Sequence, residues 1–178
     1  MLFRSDRAAL AQYPSMVFTL LLLRHAKSDY PRGVVDHDRP LNPRGRRDAP
    51  VAGELIRSSL GSLDVALVST ATRAQQTWQL SGVEASRVVD SPQLYLASPD
   101  AMLSAVRGEQ ATSAIVVAHN PGTEDLAARL TSNPRSEAYE RMLTKFPTAA
   151  FAVLRAEVPF AQWEFGMARL EAFEVGRG

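Results

Sequence analysis

The chain contains no cysteine. Disulfides, thiolate metal sites and cysteine nucleophiles are therefore excluded, and the composition is compatible with a cytoplasmic location. Net charge is also nearly absent, since twenty basic side chains against nineteen acidic ones leave +1. A dedicated nucleic-acid binder carries a basic excess, so no nucleic-acid partner is expected. Any cationic site must come from a few arginines converging locally. The apolar run Val17 to Leu23 is far shorter than the roughly 20 residues that span a bilayer. No small-residue cleavage site follows it, so neither a membrane partner nor a targeting segment is expected. Repeats, low-complexity tracts and linkers are missing too. At 178 residues and 46% hydrophobic content, the chain can bury one substantial core. Residues 16–178 are read as that single domain, and residues 1–15 as an N-terminal extension with no assigned role. The sequence does not specify an oligomeric state.

Histidine is scarce as well, with only three copies, and their placement is informative. Val17–Leu23 reads as a strand buried on both faces, and it ends on Arg24-His25. Ala114–Ala118 is a second such run, and it ends on His119. Between them, Leu63–Val68 reads as a strand leading into Ser69-Thr70, which opens a helix bearing Arg73 in its first turn. In open α/β sheets, ligands gather outside the carboxyl ends of the strands. Arg24, His25, Arg73 and His119 are thus expected to share one edge.

The remaining pattern alternates strands with helices. Asn42-Pro43 caps a helix running to Leu60 and stopped by Gly61. Val88-Val89 suggests a short strand and Pro99–Val106 a helix. Asn120-Pro121-Gly122 supplies a cap and first-turn proline for a helix through Leu130, with Glu124 and Asp125 near its positive end. Ala149–Leu154 and Leu170–Val175 read as late strands. The fold class is α/β, a three-layer α/β/α sandwich around a mostly parallel sheet.

Two arginines can grip a tetrahedral oxyanion bidentately, and a helix N-terminus adds backbone donors. A neutral imidazole can attack phosphorus and form a phosphoenzyme that water later hydrolyses. A second imidazole can donate to a non-bridging oxygen as charge builds up. No histidine pair has the local spacing of a zinc helix, and the arginines would repel a divalent cation. No metal or other cofactor is therefore expected.

Three segments in order carry a family resemblance: Leu23-Arg24-His25-Ala26-Lys27-Ser28, Ser69-Thr70-Ala71-Thr72-Arg73-Ala74-Gln75-Gln76-Thr77 and Val117-Ala118-His119-Asn120-Pro121-Gly122. They resemble the histidine phosphatase superfamily, whose fold is phosphoglycerate-mutase-like. Asp36-x-x-Arg39-Pro40-Leu41 with Gly45, Leu94-Tyr95 and Lys145-Phe146-Pro147-Thr148 resemble its SixA-type phosphohistidine phosphatase branch. The resemblance implies that His25 is the phosphorylated nucleophile, Arg24 and Arg73 the phosphate clamp, and His119 the second pocket histidine. It implies further contacts to substrate from Asp36 and Arg39. Lys27 and Ser28 are candidates because they follow the signature. A carboxylic general acid is missing where relatives carry one, since Gln93 precedes Leu94-Tyr95 and Asn120 follows His119. That favours a phosphoramidate over an alkyl ester. The expected function is a metal-independent phosphatase acting on a phosphorylated protein or a small phosphorylated metabolite. A small-molecule phosphomonoesterase and a catalytically weak phosphate-binding regulatory module are the alternatives. His37, Asp38, Arg44, Arg46 and Arg47 are read as solvated, and Trp78, Trp163 and the phenylalanines as core.

Overall fold

Inner strands that are apolar on both faces can be satisfied only between two helical layers. The computed structural model describes residues 16–178, so the proposed extension at residues 1–15 lies outside the described residues. Six strands form one sheet: β1 (Phe18–Arg24), β2 (Leu63–Ser69), β3 (Ala85–Ser91), β4 (Ser113–Ala118), β5 (Ala150–Ala156) and β6 (Arg169–Val175). Their order is β3-β2-β4-β1-β5-β6. β3, β2, β4 and β1 run parallel, β5 is antiparallel to β1, and β6 is antiparallel to β5. The sheet is mixed and mostly parallel, and the α/β class read from the sequence holds.

Side chains alternate faces along each strand, which divides the core in two. Leu20 and Leu22 point into one cluster with Val65, Leu67 and Val116. Leu21 and Leu23 point into the other with Ala66, Val68, Ile115 and Val117. All four leucines of β1 are fully buried, and each contributes about 1.5–3 kcal/mol of apolar transfer. Helices α3 (Pro99–Arg107), α4 (Gly122–Leu130) and α5 (Glu137–Thr144) cover the first face through Met102, Leu126 and Met142. Helices α1 (Pro43–Leu60) and α2 (Thr72–Ser81) cover the second through Ala49, Ile56 and Ala74.

Local chemistry fixes the boundaries. Asn42 caps α1 by accepting the Gly45 amide at 2.9 Å, and Gly61 ends it with φ 67°. α2 begins at Thr72, later than expected, because the Ser69 side chain is committed to His119 instead of a helix start. The α4 cap also differs from expectation. Pro121 precedes the helix, and Asn120 turns its amide to Glu124 and the Phe146 carbonyl instead of capping. α5 was not anticipated: it is short, though Ser136 caps it by accepting the Tyr139 amide. β3 extends well beyond Val88-Val89, because an exposed edge strand tolerates Arg87 and Asp90. Trp163 is fully buried, whereas Trp78 is only half-buried against the second cluster. Phe165 is exposed, unlike the buried Phe18, Phe146, Phe151, Phe160 and Phe173.

α1 and α2 approach so closely that a Cβ at Gly53 would lie 1.8 Å from the Ser81 carbonyl oxygen. Alanine in place of a mid-helix glycine normally stabilises by about 0.5–1 kcal/mol. At Gly53 the sign should reverse, because the obstacle is backbone. Urea unfolding of Gly53→Ala should show a loss of about 1–3 kcal/mol or more, and a stabilised variant would contradict the packing described.

Candidate active site

β4 lies between β2 and β1, so the carboxyl ends of these three strands are neighbours. Arg24 pairs with Ala118 and Val68 with Val117. The residues just beyond, His25, Ser69 and His119, are thereby brought side by side. The His25 and His119 rings lie 5.1 Å apart at 55°.

His25 is pinned by its own backbone. Its Nδ1 lies 2.7 Å from the Ala26 carbonyl oxygen. A carbonyl can only accept, so Nδ1 carries the proton and Nε2 holds the lone pair. Arg73 Nε–H points at that nitrogen from 3.3 Å. Thr77 locks the same corner, accepting the Ala26 amide at 2.9 Å and donating to the Arg73 carbonyl at 2.6 Å. Burial, reinforced by His119, Arg73 and Arg24, lowers the His25 pKa to about 3. Burial, then Arg73, lowers that of His119 to about 4. Both imidazoles are neutral near pH 7.

His119 Nε2 lies 2.7 Å from Ser69 Oγ, which itself accepts the Ala71 amide at 3.4 Å. The serine proton is then free to point at Nε2. That arrangement leaves the His119 proton on Nδ1, which is buried and has no partner among the described residues.

The two arginines are held differently. Arg24 Nη1 donates to the Phe146 carbonyl at 2.6 Å, while its buried Nε has no partner among the described residues. Burial lowers its pKa. Arg73 is 4% exposed and clasps Asp36, with Nη1 on the backbone oxygen at 2.6 Å and Nη2 on Oδ2 at 2.9 Å. Asp36 also accepts from Arg39 Nη1 at 2.6 Å and from the Tyr95 hydroxyl at 2.7 Å. The Tyr95 hydroxyl foremost, then the Arg39 and Arg73 guanidiniums, hold the Asp36 carboxyl far below the usual carboxylate range. Arg39 spends its other donors on the Asp29 carbonyl and Ser28 Oγ, with the Tyr30 ring 3.4 Å from its Cζ. Two arginines, a neutral base and an unpartnered Nδ1 around one corner suit a tetrahedral oxyanion.

Comparison with known proteins agrees with this geometry. A family model described as histidine phosphatase superfamily (branch 1) matches residues 20–94. An uncharacterised Mycobacterium tuberculosis protein is 44% identical over 160 residues, covering 87% of this chain and all of that one. A Mycobacterium leprae protein, also uncharacterised, is 40% identical over 162 residues with the same coverages. A structure from Nakamurella multipartitia, assigned as the phosphohistidine phosphatase SixA, superposes with TM-score 0.83 at 32% identity, covering 92% of this chain and 99% of that one. One from Agrobacterium tumefaciens with the same assignment gives 0.72 at 28%, covering 89% and 97%. The chain belongs to the histidine phosphatase superfamily, in its SixA-type branch. It is a phosphatase.

The structure gathers Arg24, His25, Arg73 and His119 at one strand edge, with Asp36 against Arg73. Arg39 and Ser28 are bonded to each other behind Asp36. The half-buried Lys27 lies 5.9 Å from the Tyr30 ring. His37 corrects the solvated-loop expectation, because its Nε2 is 3.0 Å from Thr70 Oγ1 and its ring meets Tyr95 edge-on at 4.9 Å. Asp38, its partner at 3.1 Å, is exposed. Sequence reasoning missed Ser69, Tyr95 and Glu124 as neighbours of the site. Ser69 was legible as the first residue beyond a strand end. Glu124 was legible as four residues after Asn120, whose amide it accepts at 2.8 Å. Burial raises its pKa, against the opposing Arg24 charge.

The buried histidines also make stability depend on pH. Their folded-state pKa values, about 3 and about 4, lie below the ordinary 6.5. Above 6.5 neither state binds the proton. Below it the unfolded chain takes up protons that the folded one refuses, so stability falls as pH drops toward 4. Each histidine adds a slope of up to about 1.4 kcal/mol per pH unit. Urea unfolding between pH 7 and 5 should show this decline, and His119→Gln should make it shallower. Constant stability across that range would contradict two buried neutral imidazoles.

Proposed function

We propose that this phosphatase acts through a covalent phosphohistidine on His25, without a metal, and that phosphohistidine on a protein is its favoured substrate. The observation that carries the reading is the Nδ1–H bond to Ala26, which commits the opposite nitrogen, Nε2, to be the nucleophile. Nε2 attacks phosphorus as the bond from phosphorus to the leaving group breaks, and the departing group leaves with the electron pair, its proton supplied by solvent. Arg24, Arg73 and His119 Nδ1–H bind the non-bridging oxygens, whose charge the guanidiniums neutralise where a metal would otherwise be required. Water then attacks phosphorus from the vacated side, Nε2 departs, and inorganic phosphate leaves. Asp36 and Arg39 act by bracing Arg73, the buried Ser28 supports Arg39, and Lys27 borders the entrance. The cytoplasm is the proposed compartment.

The leaving group argues for the substrate. Asp36 is held ionised and Asp38 is exposed. Gln93 is exposed and Asn120 is an amide, so none of these four supplies a proton at neutral pH. A phosphorylated imidazole can take a proton from water before the bond breaks and leave neutral, whereas an alkyl ester without an acid must expel an alkoxide. The assignments of the Nakamurella and Agrobacterium structures point the same way. Glu124, half-buried and with its pKa raised, is the observation that favours the second reading, a small-molecule phosphomonoesterase.

Rapid quenching with labelled phosphohistidine protein should trap acid-labile, alkali-stable phosphate on His25, with turnover persisting in EDTA. His25→Ala should lose both label and turnover while unfolding normally. Near-normal turnover in that variant would sink the mechanism, and absence of any turnover in wild type would leave a binding module.

Leaving-group dependence separates the two readings. Across esters of graded leaving-group pKa, the wild-type rate should fall steeply as basicity rises. A flat profile that turns steep in Glu124→Gln would make Glu124 the acid and move the assignment to alkyl esters.

A further inference from the structure

Four rings form a ladder from the buried nucleophile to the mouth of the site. His25 and His119 lie 5.1 Å apart, His119 and Tyr95 5.6 Å, and Tyr95 and His37 4.9 Å. His25 is 9% exposed, whereas the His37 side chain is 39% exposed. The last two rings serve no core, since neither belongs to either apolar cluster. Both are nevertheless held in place. The Tyr95 hydroxyl donates to Asp36, and His37 is bonded on one nitrogen to Thr70 and on the other to Asp38. The next residue, Leu96, adopts a left-handed φ of 51°, a conformation that leucine disfavours.

In-line displacement puts the leaving group opposite the attacking Nε2. With that nitrogen at the buried end, the leaving group points outward, past Tyr95 and His37. We propose that these two rings form the leaving-group wall and make the enzyme select flat aromatic or heteroaromatic leaving groups. The inference rests on the phosphoryl-transfer reading above. The rings meet at 74°, so a flat group can lie face-on to one and edge-on to the other, the two favoured aromatic geometries. Asp36 and Arg73 face the same corner, which ties the wall to the phosphate clamp.

The test uses two non-hydrolysable probes of the same shape class, benzylphosphonate and cyclohexylmethylphosphonate, titrated calorimetrically into the whole protein. Simple apolar burial favours the cyclohexyl ligand, which carries more hydrogen. The wall predicts the reverse, with benzylphosphonate binding about fivefold to tenfold more tightly. Tyr95→Phe keeps the ring, loses only the Asp36 bond, and should preserve that ratio. Tyr95→Leu and His37→Leu should bring it toward one. A partly misfolded variant weakens both ligands equally, so the ratio remains readable. A wild-type ratio of one, or a ratio unchanged in Tyr95→Leu, would overturn the wall. Failure of either probe to bind wild type would overturn the phosphate pocket beneath it. Failure to cleave phosphohistidine protein, with the ratio intact, would remove that substrate and leave the wall standing.

Discussion

The parallel pairing of β4 between β2 and β1 is the constraint on which the site depends. Arg24 sits opposite Ala118 and Val68 opposite Val117. A one-residue slip in either register would turn every inner side chain to the opposite face. The cost would be large, because all four β1 leucines and their β4 neighbours are fully buried. The energy that fixes the hydrophobic register therefore also fixes the distance between two imidazoles that contribute no apolar burial. The polar corner is positioned by its apolar surroundings.

Given that scaffold, the electrostatic problem is to keep a base neutral beside a buried cation, Arg73, and a half-buried one, Arg24. Burial and the arginines act in the same direction on His25, lowering its pKa and preserving the Nε2 lone pair. The cations need a counter-charge, and Asp36 supplies it to Arg73 and Arg39 together. Arg24 receives only a carbonyl and lies near Glu124. In the proposed reaction an arriving phosphoryl group meets one guanidinium whose Nε has no partner among the described residues and one that must share its fork with Asp36. Because the Asp36 side chain is 46% exposed, its hold on Arg73 is screened by solvent and can be partly released to an incoming dianion.

The sequence was most readable where one interaction dominates. Buried strands with abrupt polar endings revealed β1, β2 and β4, and thereby placed Arg24, His25 and His119. Asn42-Pro43 and Gly61 located α1 to the residue, because capping and left-handed termination are local chemistry. Readability failed where the partner is distant along the chain. Asn120 has the composition of a cap, yet its amide is shared between Glu124 and the Phe146 carbonyl, the latter 26 residues away. His37 looks like a loop residue until Thr70, 33 residues on, supplies its hydrogen bond. α5 is short, and it is held by the Ser136 cap and by Met142, with Ala138 and Tyr139, against the core.

Volume alone does not mark the site. A concavity of about 660 Å³ lies at the amino ends of the strands, lined by Phe18, Asp64, Thr112 and Pro159, with no histidine or arginine in its wall. Asp64 is fully engaged there by Thr112 and Ser113, so that end is tied down structurally. Of the four buried side-chain polar atoms without partners among the described residues, Arg24 Nε, His119 Nδ1 and Asn120 Oδ1 lie at the opposite end, and Arg155 Nε lies beside Thr19 near the amino end. Unmet hydrogen-bonding capacity in a buried setting is costly unless something completes it. At the carboxyl edge two of these atoms, Arg24 Nε and His119 Nδ1, are donors, and the neighbouring His25 Nε2 lone pair is oriented by the Nδ1–H bond to Ala26. That coincidence of unsatisfied donors with a committed acceptor, more than volume or depth, is the reason for proposing this edge as the place where phosphorus is handled.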